Sequence, residues 1–117
     1  MSSLTATTVN TVVYPVTDLA AAKTIFTRLL AAEPHTDQPY YVGWNVGGQE
    51  IALDPNGHAK GLTGPVPYWH VDDVPAHVAG LVEAGATVRQ QPTDVGGGKL
   101  TAVLADPDGN VIGLVQA

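Results

Sequence analysis

The fold is indicated most clearly by one stretch near the end of the sequence, Leu100-Thr101-Ala102-Val103-Leu104-Ala105-Asp106-Pro107-Asp108-Gly109-Asn110-Val111-Ile112-Gly113-Leu114-Val115. Two apolar runs flank five residues that favour a turn. Pro107 restricts φ early in that turn, and Gly109 adopts a positive φ without steric cost. The stretch therefore predicts a β-hairpin, and the rest of the chain is best understood as the elements that lead up to it.

The composition is that of a folded domain that avoids polyanions. Hydrophobic residues make up 44% and charged residues only 14%, which argues against disorder. Eleven Asp and Glu against five Lys and Arg leave a net charge of -6, so we expect no nucleic-acid partner and no membrane partner. Cysteine is absent, which excludes disulfides, thiolate nucleophiles and Cys-bound zinc. Without a signal-like segment in residues 1–8 or an apolar run of about 20 residues, a single cytoplasmic domain over residues 1–117 is expected.

The first half of the chain predicts a strand, a helix and further strands. Alternating, β-branched residues make residues 9–16 a strand, and Asp18 caps the following helix, which ends before Pro34. Residues 40–46 and 49–53 flank Gly47-Gly48, as in a tight hairpin. A glycine-rich loop then runs to about residue 64 and predicts a linker. The helix has its apolar residues at spacings of three and four, at Leu19, Ala22, Ile25, Phe26, Leu29 and Leu30.

The second half repeats this order. Residues 67–71 predict a strand, Asp73 a helix cap, and residues 87–91 another strand before the final hairpin. Ile51-Ala52-Leu53 corresponds to Ile112-Gly113-Leu114 on the last strand of each half. The sequence therefore contains an internal repeat of strand, helix and three strands, over residues 7–55 and 65–117. In the second helix Val74, Val78, Leu81 and Val82 line one face before Gly85.

This order, with its Val-x-Asp junctions at Asp18 and Asp73 and the turn at residues 106–110, resembles the vicinal oxygen chelate superfamily. That group includes glyoxalase I, extradiol dioxygenases, methylmalonyl-CoA epimerase, fosfomycin resistance enzymes and bleomycin resistance proteins. The resemblance implies an α+β fold in which two βαβββ repeats form curled mixed sheets, with a ligand cleft on the concave face. It also implies a homodimer whose clefts lie at the interface.

Enzymes of that superfamily hold a divalent metal with side chains from the first and last strand of each repeat, usually His, Gln or Glu. The corresponding positions here are Thr11 and Val66 on the first strands and Ala52 and Gly113 on the last strands. Three of these side chains lack a donor atom, and a lone threonine cannot hold a metal that prefers several carboxylates or imidazoles. We therefore expect no metal and no cofactor, as in the metal-free binding members of the superfamily.

The predicted ligand contacts are the residues whose side chains share the face of those four positions. Glycine and alanine among them predict a cavity where an enzyme would hold its metal. The glycine-rich loop at residues 95–99 is not followed by a helix, so it predicts a mobile loop at the cleft rim instead of a phosphate loop. The ligand-binding set is Thr11, Tyr41, Gly43, Asn45, Ala52, Asp54, Tyr68, His70 and Gly113, and no catalytic residue is predicted.

Several other polar and aromatic residues admit two interpretations each. Glu50 and Asp54 either act as a base or attract a cationic ligand, or they are solvated at strand ends. Trp44 and Trp69 either belong to the core, which strand parity favours, or one of them stacks on a flat ligand. The other histidines, His35, His58 and His77, match no zinc spacing and are expected to be structural or at the surface.

These observations predict a protein that binds and sequesters a small aromatic or hydrophobic compound without metal, plausibly conferring antibiotic resistance. The first alternative is a lyase, isomerase or dioxygenase of the same superfamily, acting on a small metabolite. Such an enzyme would use metal ligands at other positions, or would work without metal through His70 or Glu50. The second alternative is a regulatory domain with an empty cleft, whose dimer interface carries the function.

Overall fold

The computed structural model describes residues 6–117, with side chains from Thr8 onward, and the chain divides into two compact units. The N-terminal unit comprises Asn10–Val66, and the C-terminal unit comprises Pro67–Ala117 together with the residues up to Val9. Residues 1–5, which belong to the stretch inspected for a signal peptide, lie outside the described residues. Over the described part of the chain, neither helix has the length and apolar character needed to cross a membrane.

The N-terminal unit holds four strands, one helix and a short 3₁₀ turn. Its strand order is β2-β3-β4-β1, with β3 antiparallel to both neighbours and β1 parallel to β4. The strand β2, between Pro34 and Pro39, and the 3₁₀ turn are the described elements of this unit that sequence analysis did not locate. The elements are β1 (Ala6–Pro15), α1 (Leu19–Leu30), β2 (Thr36–Gln38), β3 (Tyr41–Val46), β4 (Gln49–Asp54) and the 3₁₀ turn His58–Lys60.

The C-terminal unit repeats the plan of the first. Its strand order is β5-β8-β7-β6, so that its first and last strands are again parallel neighbours. The same relation holds for β1 and β4, which confirms two βαβββ repeats and the α+β class. The elements are β5 (Val66–Val71), α2 (Val74–Glu83), β6 (Thr87–Asp94), β7 (Leu100–Ala105) and β8 (Val111–Gln116).

The predicted terminal hairpin is confirmed. Strands β7 and β8 pair antiparallel with Ala105 opposite Val111. In the turn, one carboxylate oxygen of Asp106 accepts hydrogen bonds from the backbone N–H groups of Asp108 (3.0 Å) and Asn110 (2.8 Å). Gly109 has a φ of 86°, as the turn requires. Local side-chain chemistry is therefore enough to close this hairpin.

Both helices begin at the predicted caps. The Asp18 carboxylate accepts from the N–H of Ala21 at 3.0 Å, and Asp73 accepts from the N–H of Ala76 at 3.1 Å. Helix α1 packs on a core that contains the fully buried Trp44, whose indole N–H donates to the carbonyl of Ala32 at 2.9 Å. The core assignment of Trp44 is thus confirmed.

The buried face of α1 is narrower than the sequence pattern suggested. Leu19, Ala22, Phe26 and Leu30 pack on the core, but Ile25 and Leu29 are 64% and 71% exposed. Two of the six apolar positions that recur at spacings of three and four therefore do not reach the core. With 3.6 residues per turn, six positions at spacings of three and four spread over more of the circumference than one sheet can cover.

Trp69 is not a core residue. Its side chain is 40% exposed, so the core prediction was wrong. Trp69 lies on β5 opposite Leu114, whereas α2 packs mainly against β6, β7 and β8. The helix of this unit therefore does not extend over β5 far enough to cover the indole. In the same unit Val82 is also exposed, although the other three predicted helix positions pack on the core.

Candidate functional site

Each unit has a helix-free face, meaning the face of its strands opposite to its own helix. In the N-terminal unit Glu50 lies opposite Thr11 on β1 and opposite Asn45 on β3. Two residues further along β4, Ala52 lies opposite Val13 on β1 and opposite Gly43 on β3. Directly opposite residues share a face, so these side chains belong to the helix-free face.

A hydrogen-bonded network centred on the Glu50 carboxylate lies on this face. The hydroxyl of Tyr41 donates to Oε2 of Glu50 at 2.5 Å, and Nε2 of His35 donates to Oε1 at 2.8 Å. A carboxylate only accepts, so His35 carries its proton on Nε2, which leaves Nδ1 to accept from the Thr36 hydroxyl at 2.7 Å. The expectation that Glu50 is simply solvated was therefore wrong.

Gly43 makes this network possible. A Cβ atom at position 43 would lie 2.6 Å from Oε2 of Glu50 and 2.7 Å from Cε1 of Tyr41. Both distances are shorter than any normal contact, so only glycine lets the tyrosine and the carboxylate meet above β3. The space expected to be a cavity over Gly43 is thus filled by side chains of this chain.

The Tyr41 hydroxyl is held in its protonated form. Burial is the main cause, since it raises the pKa of Tyr41 well above its ordinary value. The hydrogen bond to Glu50 and the negative charges of Glu50 and Asp54 raise the pKa further. Tyr41 therefore acts at neutral pH as a hydrogen-bond donor and not as a base.

Asp54 has a structural role. Its side chain is nearly buried, and one carboxylate oxygen accepts from the ammonium group of Lys60 at 2.7 Å. The other oxygen accepts from the backbone N–H of Asn56 at 2.8 Å. Asp54 therefore ties the end of β4 to the following 3₁₀ turn, and the expectation of a solvated strand end was wrong here too.

On the C-terminal unit the helix-free face is built around Tyr68 and Gly113. Tyr68 lies opposite Gly113, and Gly113 lies opposite Val103. A Cβ atom at position 113 would lie 2.7 Å from Cγ and Cδ2 of Tyr68 and 2.8 Å from Cδ1. The base of the tyrosine ring therefore rests directly on the glycine, and Tyr68 is only 7% exposed. The cavity predicted over Gly113 is occupied by this ring.

His70 lies one step further along the same face. It is opposite Val115, which is opposite Thr101 on β7. Partial burial lowers the pKa of His70 from its ordinary value, and the positive charge of Lys99 lowers it further. His70 is therefore mainly neutral at pH 7, and the positively charged Lys99 lies near it.

The residues at the four metal positions of the resembled enzymes do not fit a metal. Ala52 and Val66 are 0% and 1% exposed and offer no donor atom, and the Tyr68 ring covers Gly113. Thr11 is the remaining position, and its hydroxyl makes a long contact of 3.4 Å with the Asn10 side-chain oxygen. Across residues 6–117 no three His, Asp or Glu side chains lie close enough together to hold a metal ion.

The structure also contains an open groove of about 470 Å³ on α1, away from the predicted contacts. It is lined by Ala20, Lys23, Thr24, Thr27, Arg28 and Glu33. Lys23 is ion-paired with Asp37. Small-molecule sites are mostly apolar and enclosed, so the charged and open lining makes this groove a poor candidate.

The predicted contacts fall into two groups. Thr11, Tyr41 and His70 are half-buried and Asn45 is exposed, so a ligand could touch them, whereas Gly43, Ala52, Asp54, Tyr68 and Gly113 are buried. Sequence analysis missed the part that His35 and Thr36 play in the Glu50 network, because the short strand β2, which begins at Thr36 directly after His35, has no apolar periodicity. The two prolines that flank β2 were the available signal.

Comparisons with known proteins agree on the family. The family model described as Glyoxalase/Bleomycin resistance protein/Dioxygenase superfamily matches residues 8–114. No curated protein sequence matches the chain. Among solved structures, a glyoxalase/bleomycin resistance protein/dioxygenase superfamily member from Vibrio splendidus 12B01 is 15% identical with a TM-score of 0.67, over 92% of this chain and 97% of the other.

Two further structures have similar folds under different names. An NAD-dependent benzaldehyde dehydrogenase from Legionella pneumophila is 17% identical with a TM-score of 0.71, over 91% of this chain and 96% of the other. A methylmalonyl-CoA epimerase variant from Streptomyces coelicolor, in complex with 2-nitronate-propionyl-CoA, is 17% identical with a TM-score of 0.70, over 97% of this chain and 96% of the other. At these identities the likeness establishes the fold alone.

Proposed function

Because this chain belongs to the glyoxalase/bleomycin resistance protein/dioxygenase superfamily, we propose that it binds and sequesters a small aromatic or hydrophobic compound, such as an antibiotic, without a metal. The observation that carries the proposal is the arrangement at Gly113, where the resembled enzymes place a metal ligand. Here a glycine stands under the ring of Tyr68, and no donor atom is available. Binding alone would protect the cell in that case, with no bond made or broken.

The nature of the helix-free faces supports a ligand with an aromatic part. Each helix-free face carries one half-buried ring beside buried apolar residues: Tyr41 shares the face of Val13 in the N-terminal unit, and His70 shares the face of Val115 in the C-terminal unit. A flat apolar compound would remove this surface from water, at about 25 cal/mol per Å². The hydroxyl, imidazole and carboxylate of the Glu50 network provide hydrogen-bonding partners that would orient it.

Dimerisation and a cytoplasmic location are part of the same proposal. Resemblance to the superfamily suggests a homodimer whose clefts lie at the interface. The cysteine-free sequence suits a reducing compartment.

The direct test is native mass spectrometry of the purified protein with bleomycin and with a panel of planar aromatic compounds, each in the presence and absence of EDTA. We expect stoichiometric binding of at least one compound that EDTA does not change, and release of that compound unmodified. The variant His70→Ala should weaken the binding. The control His77→Ala should not, because His77 lies on α2, away from the helix-free face, where its Nδ1 is hydrogen-bonded to the backbone carbonyl of Asp73. Binding that disappears with EDTA, or a ligand returned chemically altered, would contradict the proposal.

A second candidate is an enzyme that removes a proton without a metal, with Glu50 as the base. The observation that favours it is the Glu50 network, which holds the carboxylate in one orientation by two donors. The test is incorporation of deuterium from D₂O into hydroxyacetone, which has acidic protons next to a carbonyl, in the presence of EDTA. Exchange above background that Glu50→Gln abolishes would favour this candidate, and background exchange would exclude it for this class of substrate.

A further inference from the structure

The glycine-rich loop between β6 and β7 holds Lys99 in a defined place. The backbone N–H of Val95 donates to the carbonyl of Lys99 at 2.9 Å, and the N–H of Lys99 donates to the carbonyl of Gly96 at 3.1 Å. The three glycines have φ values of 122°, 62° and 81°, which other residues rarely adopt. The loop is therefore a closed turn that places Lys99 immediately before β7.

Strand alternation places Lys99 on the helix-free face of the C-terminal unit. Leu100 packs against the core beneath α2, whereas Thr101 lies opposite Val115 on the other face. Side chains alternate along a strand, and continuing this alternation one residue back from Leu100 puts Lys99 on the side of Thr101, in agreement with the effect of the Lys99 charge on the pKa of His70. His70 is on this side too, in the same cross-strand row as Val115 and Thr101.

Lys99 also differs from the other two lysines in the charged groups that surround it. Lys23 is ion-paired with Asp37, and Lys60 is ion-paired with Asp54 at 2.7 Å. Lys99 forms no ion pair with any carboxylate that the structure describes, although the sequence has 11 acidic residues. Its nearby titratable group is His70, whose protonated form it disfavours. The face thus brings a cation and an imidazole near each other.

We propose that Lys99, His70 and the hydroxyl of Thr101 bind an anionic group of the ligand, a carboxylate or a phosphate. This deepens the proposed function, on which it rests, by naming a chemical class for the polar part of the ligand. An anion would accept a charge-assisted hydrogen bond from the Lys99 ammonium group and a further hydrogen bond from the N–H of the His70 imidazole, and it would offset the positive charge of Lys99 on this face. The neighbouring Val115 would contact the apolar part of the ligand.

The test is an NMR titration of the full chain with sodium benzoate, with neutral benzamide of the same shape, and with inorganic phosphate, monitored by the imidazole resonances of His70. We expect saturable shifts with benzoate and weaker or absent shifts with benzamide. Lys99→Ala should weaken benzoate binding roughly tenfold, since it removes one full charge at close range. Arg28→Ala is the matched control, because it removes one positive charge from the exposed side of α1 and should leave the affinity unchanged.

The remaining outcomes separate the two proposals. Equal binding of benzoate and benzamide, insensitive to Lys99→Ala, would overturn the anion site while supporting aromatic binding. Absence of saturable shifts at His70 with benzoate and with phosphate would also overturn it, whereas ligands found by mass spectrometry would still support the proposed function. Binding of phosphate as tight as that of benzoate would support the anion site and would show that charge alone is recognised. Lys99 is exposed, so its replacement should not prevent folding.

Discussion

At the scale of single residues, two glycines determine what the helix-free faces contain. Gly43 admits the contact between Tyr41 and Glu50, and Gly113 admits the ring of Tyr68. Small residues at these positions suggested empty space when only the sequence was considered. In the folded chain each glycine instead lets a neighbouring large side chain lie down on the strand. The space above each glycine is therefore filled by a side chain and is not a cavity.

Replacing Gly113 tests this packing. Gly113→Ala should lower the free energy of unfolding by about 1–3 kcal/mol, because the new methyl group overlaps the Tyr68 ring. The measurement is urea unfolding followed by circular dichroism. The control is Gly80→Ala in α2, where a new Cβ atom would meet no atom within 4 Å outside the helix's own backbone. Alanine should stabilise the helix there by about 0.5–1 kcal/mol. Equal effects of the two substitutions would show that the ring does not rest on Gly113.

The Glu50 network is tested by removing one hydroxyl group. Tyr41→Phe should lower the free energy of unfolding by about 1–2 kcal/mol, since it deletes a short hydrogen bond to a carboxylate. Tyr40→Phe is the matched control, because Tyr40 precedes Tyr41 in the chain, is 64% exposed, and has no described hydrogen bond from its hydroxyl group. Unfolding in urea at neutral pH compares the two. A loss as large in Tyr40→Phe as in Tyr41→Phe would argue against the network.

At the scale of elements, the terminal hairpin is closed by Asp106. Its carboxylate accepts from two backbone N–H groups and from the side-chain amide of Asn110 at 2.9 Å. These hydrogen bonds, with those to Asn110 largest, lower the pKa of Asp106 below its ordinary value. The turn is therefore held more firmly when the carboxylate is ionised.

This linkage predicts a pH dependence. A group whose pKa is lower in the folded chain stabilises the fold above its unfolded pKa, about 3.9 for Asp, and that contribution is lost as pH falls through the folded value. Asp106→Ala should thus destabilise the protein at pH 7, and the difference from wild type should shrink in acid. Urea unfolding over a pH series measures it, with Asp108→Ala as the control in the same turn. A difference that grows on acidification would contradict the assignment.

The second element-scale feature is the face of α1. Phe26 packs between Tyr14 and Trp44, with ring centroids 4.9 Å and 6.0 Å away. Phe26→Ala should lower the free energy of unfolding by about 3 kcal/mol, whereas Ile25→Ala should change it by less than about 0.5 kcal/mol. The comparison needs only thermal or urea unfolding of the two neighbouring variants. Similar losses would mean that Ile25 is buried in solution, for example against another chain.

At the scale of the whole molecule, the family and the fold are established but they do not specify a reaction. Structures with TM-scores of 0.67–0.71 to this chain carry names as different as an epimerase and a dehydrogenase. At the four positions that the resemblance assigns to metal ligands, this chain has Thr11, Ala52, Val66 and Gly113. The prediction at this scale therefore concerns whether divalent metals bind to the folded protein.

The melting temperature should not respond to divalent metals. A metal that binds only the folded state raises the free energy of unfolding by RT ln(1 + [metal]/Kd), so a resident site would give a clear upward shift. We expect no shift with Mn²⁺, Zn²⁺ or Ni²⁺ and no decrease with EDTA, measured by calorimetry. A shift that depends on metal concentration would show that metal ligands exist outside the four positions, and it would favour the enzyme alternative.

Much of the fold could be predicted because its signals are local. The caps at Asp18 and Asp73 and the turn at residues 106–110 depend on neighbours in sequence, and each was found where it was expected. The strand β2 was not located, because three polar residues between prolines form a strand only when β3 lies beside them. Trp69 was assigned to the core because the alternation of side chains along β5 puts it on the face that the helix covers. Alternation does not show how far along that face the helix extends, and Trp69 is 40% exposed.

The sequence by itself thus determined the order of the elements, the internal repeat and the residues at the family's metal positions. Backbone conformation and side-chain parity are set within a few residues along the chain, which is why these features can be deduced without coordinates. The tertiary structure alone decided that Tyr68 lies on Gly113, that Glu50 meets Tyr41 and His35, and that Lys99 comes near His70. Such contacts depend on strand register and on side-chain packing between residues far apart in sequence, which no local pattern encodes.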